Sequence, residues 1–295
     1  MSQKHTFEGK VAIVTGAGSG LGRSHALALA RLGATVILND LGDRPESVGG
    51  GAGARAAAEM LTDEGHLAFV DEGDIGEEEY ARALVSRTVD QYGHVDVLIN
   101  NAGVAGFGTA QETTTDHLQS ILNIHLMGSF WTMNEALQHM RRRGYGRIVN
   151  TSSAAGVFGA AGAFPYATAK AAIVGMTKGA AEDNMDVDIR INALCPLAAT
   201  PMSQTWMEAN PTVDRKLLRT EAVSPLALYL SHHDCSISGL TLSGGMGKWT
   251  NYFTAEAAGV ESSENLDDVF MKLDGLLAVE GFHIPRIHTI PDSNS

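Results

Sequence analysis

A glycine-rich turn between a short apolar run and an amphipathic helix constrains the fold of this chain more than any other feature. Residues 11–15 are apolar and partly β-branched, the segment GAGSGLG occupies residues 16–22, and residues 24–32 show the helical spacing of apolar side chains. A second apolar run, residues 34–40, follows directly. This order of strand, turn, helix and strand predicts a βαβ unit with two parallel strands.

Predicted strands and helices continue to alternate along the chain. Further strands are predicted at residues 68–70, 95–100, 147–152, 189–194 and 240–245, with helices between them, for example at 77–92 and 115–140. This alternation predicts an α/β fold of the Rossmann-like, doubly wound type, with helices on both faces of a parallel sheet. We expect a single domain over residues 1–246 and a C-terminal extension, residues 247–295, packed on that domain or on a neighbouring subunit.

Charge and cysteine content limit the partners and the compartment that we expect. The formal net charge is -13, which disfavours binding to nucleic acid or to an anionic membrane. Cys195 and Cys235 are too few for a disulfide framework and favour a reducing compartment. Because the first residues lack the apolar core of a signal peptide and no stretch is apolar over roughly 18 residues, we expect a soluble, cytoplasmic protein.

The glycine-rich turn is predicted to bind a nicotinamide dinucleotide. Glycines let a pyrophosphate approach the backbone amides, and the helix N-terminus adds unpaired N–H groups and a positive dipole end. We therefore assign Gly16, Ser19, Gly20, Leu21 and Gly22 to the cofactor. The alternative is a glycine turn that only packs the helix closely on the strand.

The end of the second strand predicts which dinucleotide is bound. Asp40 lies about twenty residues after the glycines, where a carboxylate accepts hydrogen bonds from the adenosine ribose and repels a 2′-phosphate. We expect NAD rather than NADP, although Arg23 and Arg44 keep NADP open. Alternatively, Asp40 is only a solvated strand end.

Three polar side chains later in the chain predict proton chemistry. The strand at 147–152 ends in hydroxyl residues, and YATAK follows at 166–170, which places Tyr166 and Lys170 on one helix face. A nearby ammonium favours the phenolate, so that Tyr166 can take a proton from an alcohol or return one to a carbonyl. Ser153 can hold the substrate oxygen. A tyrosine packed on a helix, with a solvated lysine, is the alternative.

Together with NNAG at 100–103, these motifs resemble the short-chain dehydrogenase/reductase family over most of residues 7–245. The resemblance implies that Ser153, thirteen residues before Tyr166, acts with Tyr166 and Lys170, and that Lys170 also holds the nicotinamide ribose. It further implies a homodimer or homotetramer and additional contacts with the cofactor. These contacts are Asp74 and Ile75 at the adenine, Asn101, Ala102 and Gly103 along the cofactor, and Pro196 and Thr200 near the nicotinamide.

Two positions depart from the pattern of that family. Many members have an asparagine three residues before a glycine, where it holds a water of the proton relay, whereas IHLMGSF places His125 there. His125 is a candidate for the same relay, for a change in its pH dependence, or for a plain packing role. Leu197 follows Cys195-Pro196 where a glycine is usual, and it can reshape the nicotinamide side of the site.

A closer resemblance suggests the substrate class. VILNDLG with the glycine-rich insertion after it, IHLMGSF and PLALYLSHHDC are similar to the (3R)-hydroxyacyl-CoA dehydrogenase part of peroxisomal multifunctional β-oxidation enzymes and to bacterial 17β-hydroxysteroid dehydrogenases. This resemblance implies a 3-hydroxyacyl-CoA or a hydroxysteroid as substrate. Small, apolar segments at 104–109, 156–164 and 198–210 favour a hydrophobic alcohol or ketone. Their aromatic residues are Phe107, Phe158, Phe164 and Trp206.

Other functions stay open, and two polar clusters are discounted. The alternatives are an NAD-binding redox sensor without turnover, a dehydrogenase for another small hydrophobic alcohol, and an epimerase or dehydratase that keeps the YxxxK pair.

Arg141 to Arg143 are expected to be solvated at a helix end, or else to contact an acidic group such as the phosphates of CoA. His232, His233 and Cys235 lack a second pair of metal ligands, so no metal is expected.

Overall fold

The computed structural model describes residues 5–42, 53–200, 214–262, 264–279 and 281–284. Arg44 and Trp206, to which the sequence analysis gave roles, lie outside these residues. Contacts divide the chain into two compact units, Met1–Asn251 and Tyr252–Ser295. Among the described residues, no helix is both long and apolar enough to cross a membrane.

The strands form one eight-stranded sheet. They are β1 Val11–Thr15, β2 Thr35–Asp40, β3 Ala68–Glu72, β4 Val97–Asn100, β5 Tyr145–Thr151, β6 Asp188–Leu197, β7 Thr241–Gly245 and β8 Lys248–Tyr252. Their order is β3-β2-β1-β4-β5-β6-β7-β8, and neighbours from β3 to β7 are parallel. The predicted α/β, doubly wound, Rossmann-like fold is therefore confirmed. The order reverses between β1 and β4, and sheets of this kind bind ligands at such a reversal, beyond the carboxyl ends of the strands.

Helices of the first unit cover both faces of the sheet. They are α1 Gly20–Arg31, α2 Gly53–Asp63, α3 Glu78–Tyr92, α4 Thr115–Leu122, α5 Gly128–Arg143, α6 Ala154–Phe158, α7 Phe164–Glu182 and α8 Ser224–Ser231. The second unit contains α9 Leu266–Met271 and α10 Leu273–Leu276. One apolar core contains side chains of α1, α2 and α8, and the other contains side chains of α3, α5 and α7. Val14 of β1 lies in the first core and Ile13 in the second. A strand buried on both faces needs the continuous apolar run that β1 shows.

The helix predicted over residues 115–140 is interrupted in the structure. α4 ends at Leu122, one π-helical turn covers Asn123–Met127, and α5 begins at Gly128. A Cβ at residue 128 would lie 2.1 Å from Cδ1 of Ile75, so glycine is what lets α5 approach the segment after β3. Such π turns are rare and frequently mark functional sites.

A further strand, β8, follows residue 246. β8 adds a strand beside β7, and four of its five residues are exposed. Because β8 lacks the continuous apolar run of the central strands, the sequence analysis did not predict it. The unit Tyr252–Ser295 contains α9 and α10 and a β-bridge between Glu256 and His283.

Candidate active site

The turn between β1 and α1 is packed so closely that side chains cannot enter it. Gly16 and Gly20 have φ angles of +64° and +51°, which residues with a Cβ rarely adopt. A Cβ on Gly22 would lie 2.1 Å from the carbonyl oxygen of Gly16. The first turn of α1 contains no acidic side chain, and the Ser19 side chain makes no capping hydrogen bond there. The predicted residues thus form a backbone cradle that fits a phosphate group.

The first residues after β4 brace this cradle. Nδ2 of Asn101 donates to the carbonyl oxygens of Thr15, at 3.0 Å, and Gly16, at 3.3 Å. The Thr15 hydroxyl accepts hydrogen bonds from the backbone N–H groups of Asn101 and Ala102, each at 3.0 Å. Asn101 and Ala102, which the sequence predicted to line the cofactor, therefore support the glycine turn across the reversal point of the sheet.

Asp40 ends β2 directly beside the glycine turn. Its carboxylate accepts hydrogen bonds from the N–H groups of Gly18, at 2.6 Å, and Leu41, at 2.8 Å. Burial is the main cause that raises the pKa of Asp40, and these two backbone bonds oppose it. A Cβ on Gly18 would lie 2.6 Å from Oδ2 of Asp40, so this contact requires the glycine, to which sequence analysis gave no role. The carboxylate keeps lone pairs for further donors such as ribose hydroxyls.

The other predicted cofactor residues lie at or after the carboxyl ends of β3 and β6. Asp74 lies after β3, where its Oδ1 accepts from the Gly76 N–H at 2.8 Å, and Ile75 next to it is buried. Pro196 pairs with Gly244 at the end of β6, and Thr200 lies four residues further on. The structure thus places Asp74, Ile75 and Pro196 at the cradle's edge of the sheet, and the contacts of all four residues with a cofactor remain a prediction.

Ser153, Tyr166 and Lys170 meet beyond the end of β5. Ser153 caps α6, with its Oγ accepting from the Ala155 N–H at 3.2 Å. The Ser153 side chain lies close enough to the Tyr166 hydroxyl to lower the pKa of that group, and Nζ of Lys170 lies 5.6 Å from the centre of the Tyr166 ring. A Cβ on Gly156 would lie 2.5 Å from the backbone carbonyl carbon of Lys170, so glycine lets α6 pack directly on α7. The predicted triad is therefore assembled by close packing of these two helices.

Burial controls the charges of this triad. Lys170 Nζ donates to the Thr151 carbonyl oxygen at 2.6 Å, and burial lowers the pKa of Lys170 to about 7. The pKa of Tyr166 is raised, mainly by burial, while Ser153 acts in the opposite direction. The sequence led us to expect that Lys170 lowers this pKa, whereas in the structure burial dominates it. Burial disfavours the phenolate of Tyr166 and the ammonium of Lys170 alike.

His125 lies in the π turn, fully buried against Tyr166. The two rings make an edge contact with centres 5.4 Å apart. Nε2 of His125 lies 3.1 Å from the Val104 nitrogen and 2.8 Å from its carbonyl oxygen, whereas Nδ1 is buried without a hydrogen-bond partner in the described part of the chain. Burial, and then the charge of Lys170, lowers the pKa of His125 to about 3. The ring is thus neutral near pH 7 and can exchange hydrogen bonds but cannot itself act as the titrating base. A Cβ on Gly103 would lie 2.3 Å from this ring.

Buried amide and hydroxyl side chains form a hydrogen-bond network between the strands and helices that carry the site. Nδ2 of Asn100, the last residue of β4, donates to Oδ1 of Asn150 in β5 at 3.0 Å. Asn150 in turn donates to the Thr177 hydroxyl of α7 at 3.0 Å, and the Thr132 hydroxyl of α5 donates to Asn100 at 2.7 Å. The network ties both helices to the two central strands. Sequence analysis gave these residues no role, although an asparagine in each of two neighbouring apolar strands was the available signal.

Two apolar loops, residues 104–109 and 156–164, adjoin Tyr166 where the sequence predicts that the substrate binds. Gly108 and Ala163 form a β-bridge between them, and a Cβ on Gly106 would lie 3.3 Å from Cβ of Tyr166. The exposed aromatic side chains at these loops are Phe107, Phe158 and Phe164. The approach to Tyr166 is therefore lined by apolar surface.

The arginines at the end of α5 lie at the opposite edge of the sheet. Arg143 pairs with the buried carboxylate of Asp96 at 3.4 Å, and Arg141 pairs with Asp186 at 2.8 Å. Asp96 precedes β4, whereas Asn100 ends it on the side of the active site. The suggested contact of these arginines with phosphates of a substrate bound at Tyr166 is therefore not supported by their position.

Comparisons with known proteins agree with this geometry. A family model described as short chain dehydrogenase matches residues 10–211. Mouse (Mus musculus) peroxisomal multifunctional enzyme type 2 is 36% identical over 242 residues, which are 81% of this chain and 32% of that protein. The chain thus spans about a third of the length of this relative. The (2S)-[(R)-hydroxy(phenyl)methyl]succinyl-CoA dehydrogenase subunit BbsD of Thauera aromatica is 34% identical over 213 residues, which are 72% of this chain and 81% of that subunit.

A solved structure is similar over nearly the whole chain. A short chain dehydrogenase from Mycobacterium avium superimposes with a TM-score of 0.80 at 31% identity, over 92% of this chain and 96% of that one. The family match covers the glycine cradle, Asp40, Ser153, Tyr166 and Lys170. The chain therefore belongs to the short-chain dehydrogenase family, whose members are oxidoreductases that act on CH–OH groups.

Proposed function

We propose that the chain is an NAD-dependent dehydrogenase that oxidises a hydrophobic secondary alcohol to a ketone, in a reversible reaction. The observation that carries the proposal is the meeting of Ser153, Tyr166 and Lys170 at the edge of the sheet that also holds the glycine cradle. A proton-transfer group beside a dinucleotide site is what alcohol oxidation requires, since the alcohol loses a proton and a hydride together.

Each residue of the site has a defined task in this proposal. Gly16, Gly22 and Asp40 would hold the dinucleotide, which supplies the hydride acceptor when it is bound. The Ser153 hydroxyl holds the substrate oxygen against the hydroxyl of Tyr166, and Tyr166 takes the alcohol proton while its own hydroxyl proton passes toward the neutral amine of Lys170. Because the pKa of Lys170 is about 7, this side chain can accept or release a proton near neutral pH.

His125 takes the place of the family's relay asparagine in this proposal. A neutral ring with one nitrogen held by the Val104 backbone leaves Nδ1 as a hydrogen-bonding group on a ring that contacts Tyr166. We assign it the positioning of a water on the path by which the proton leaves. It orients that water without titrating, as an asparagine amide would.

The proposed substrate is a (3R)-hydroxyacyl-CoA, with a hydroxysteroid as the second candidate. Support comes from the Thauera relative, whose name describes a dehydrogenase of a hydroxylated CoA thioester, and from the exposed aromatic side chains beside Tyr166. NAD is proposed over NADP because Asp40 presents a carboxylate next to the cradle. A homodimer or homotetramer, as the family resemblance implies, is part of the proposal.

The experiment is a turnover assay that follows NADH absorbance with the purified chain. The panel contains (3R)- and (3S)-hydroxyacyl-CoA esters, 17β-hydroxysteroids and simple secondary alcohols, each with NAD and with NADP. We expect turnover of the (3R) thioesters with NAD. Turnover of steroids or simple alcohols alone would contradict the substrate class and leave the dehydrogenase standing. NAD binding without any turnover would favour the sensor, and tightly held NAD without net NADH would favour an epimerase or dehydratase.

A further inference from the structure

Two segments far apart in the chain meet at the end of β5 opposite to Ser153. The segment after α8 contains His232, His233 and Asp234, and His5 lies in the segment that leads into β1. The carbonyl oxygens of His232 and His233 accept hydrogen bonds from the buried guanidinium of Arg147, at 3.0 and 2.7 Å. Their backbone is therefore fixed to the beginning of β5.

The metal-ligating atoms of His5, His232 and Asp234 all lie within 4.8 Å of one another. Nδ1 of His232 accepts a hydrogen bond from the Asp234 backbone N–H at 3.2 Å, so this nitrogen carries no proton. The same nitrogen lies 3.5 Å from Oδ2 of the Asp234 carboxylate, and a cation held by both atoms would take its single lone pair in exchange for that hydrogen bond. Tetrahedral Zn²⁺ with ligands at about 2.0–2.1 Å separates the ligand atoms by roughly 3.3 Å. The spacing of this nitrogen and this oxygen therefore fits a shared cation.

Neighbouring groups hold the members of this cluster in place. His232 is only 4% exposed, and its ring contacts the buried ring of Phe7. The other oxygen of Asp234 lies 3.2 Å from Nε2 of His233, a contact of the kind that orients ligating carboxylates. The nearby charge of Arg147 is paired with Asp188 at 3.0 Å, which leaves Asp234 available.

We propose that His5, His232 and Asp234 bind a divalent cation of the zinc class, with water completing the coordination. Two imidazoles and one carboxylate suit Zn²⁺, whereas Mg²⁺ and Ca²⁺ prefer oxygen ligands alone. Cys235 is not a ligand, because its Sγ is directed to the Ile237 carbonyl oxygen at 3.6 Å. The third ligand comes from the other end of the chain, and for that reason the local cluster of histidines in the sequence predicted no site.

The proposed metal has a structural role, because the cluster and Ser153 lie at opposite ends of β5. It fastens the N-terminal segment, anchored by the buried ring of Phe7, to the end of α8. Metal bound only by the folded chain raises its stability. We expect Zn²⁺ to raise the melting temperature and a chelator to leave dehydrogenase turnover unchanged.

The test is calorimetric titration of the tag-free, chelator-treated chain with Zn²⁺. We expect one ion per chain, and the variants His5→Ala and Asp234→Asn should each weaken binding at least about tenfold. Both side chains are exposed, so both variants should fold. His66→Ala is the matched control, because His66 precedes β3 at the other side of the sheet, and it should bind as the unmodified chain does.

Two results would overturn the proposal. One is an unmodified chain that shows no saturable Zn²⁺ binding and no shift in melting temperature. The other is binding that stays equally tight in His5→Ala and Asp234→Asn while both variants melt as the unmodified chain does.

Discussion

The glycine cradle and the proton-transfer site share one edge of the sheet but are built on opposite principles. In the cradle, a Cβ on Gly22 would lie 2.1 Å from a backbone oxygen, so the cradle exists because side chains are missing. At the proton-transfer site, burial moves the pKa of Lys170 to about 7 and that of His125 to about 3, so the site exists because polar side chains are enclosed. An added side chain should therefore destabilise the cradle. Loss of a polar atom at the proton-transfer site should instead abolish activity and leave the fold intact.

The largest effect on activity is expected when the ammonium of Lys170 is replaced by an uncharged side chain of similar volume. Lys170→Met should lower kcat/KM by about 100-fold or more, because proton transfer loses its relay. Its free energy of unfolding at pH 7 should stay equal or rise, since a buried ammonium without a carboxylate partner costs stability. Steady-state kinetics and urea unfolding of the same preparation measure both. A variant that loses activity only because it unfolds would break the comparison.

In the cradle, by contrast, we expect a substitution to lower the stability of the fold. Gly22→Ala should cost about 1–3 kcal/mol of unfolding free energy, because the added methyl overlaps the Gly16 carbonyl. NAD affinity, measured by calorimetry, should fall with it. Gly175→Ala in α7 is the matched control, since nothing lies within 4 Å of its Cβ position and a helical alanine should be neutral or stabilising. Equal effects of the two substitutions would contradict the description of the cradle.

The effect that is smallest at pH 7 concerns one buried histidine in each region. His25 of α1 and His125 have pKa values lowered by burial to about 4 and about 3. Below pH 6.5 the unfolded chain binds protons that the folded chain refuses, so stability is complete above pH 6.5 and is lost as the pH falls toward 4. Each histidine should contribute about 1.4 kcal/mol per pH unit to this slope.

Unfolding free energies of His25→Gln and His125→Gln between pH 7 and 4 test this expectation. Each variant should show a shallower slope than the unmodified chain. A variant whose slope is unchanged would show that the histidine it lacks is protonated in the folded chain, or exposed.

The same contrast explains what the sequence predicted well. Strands such as β1 and β2 are continuous apolar runs because both of their faces are buried, and their positions follow from pattern alone. The cradle is visible as glycines between a strand and a helix. Ser153, Tyr166 and Lys170 are close together in sequence and lie on adjoining elements, so their meeting was also predictable.

What the sequence could not show depends on contacts between distant segments. The π turn at His125 arises where Gly128 packs under Ile75, and no local pattern encodes that approach. Gly18 acquires its role only beside Asp40, and β8 has no apolar run at all. The raised pKa of Tyr166 was also missed, because burial depends on helices and loops from several parts of the chain.

The most direct measurement compares Tyr166→Phe with the unmodified chain in both NAD affinity and alcohol oxidation. The account predicts that kcat/KM falls by about 100- to 10,000-fold, because only the proton-accepting oxygen is removed, while NAD binds with unchanged affinity. A Tyr166→Phe chain that oxidises its alcohol at the normal rate would contradict the account, since the proton would then leave through another group.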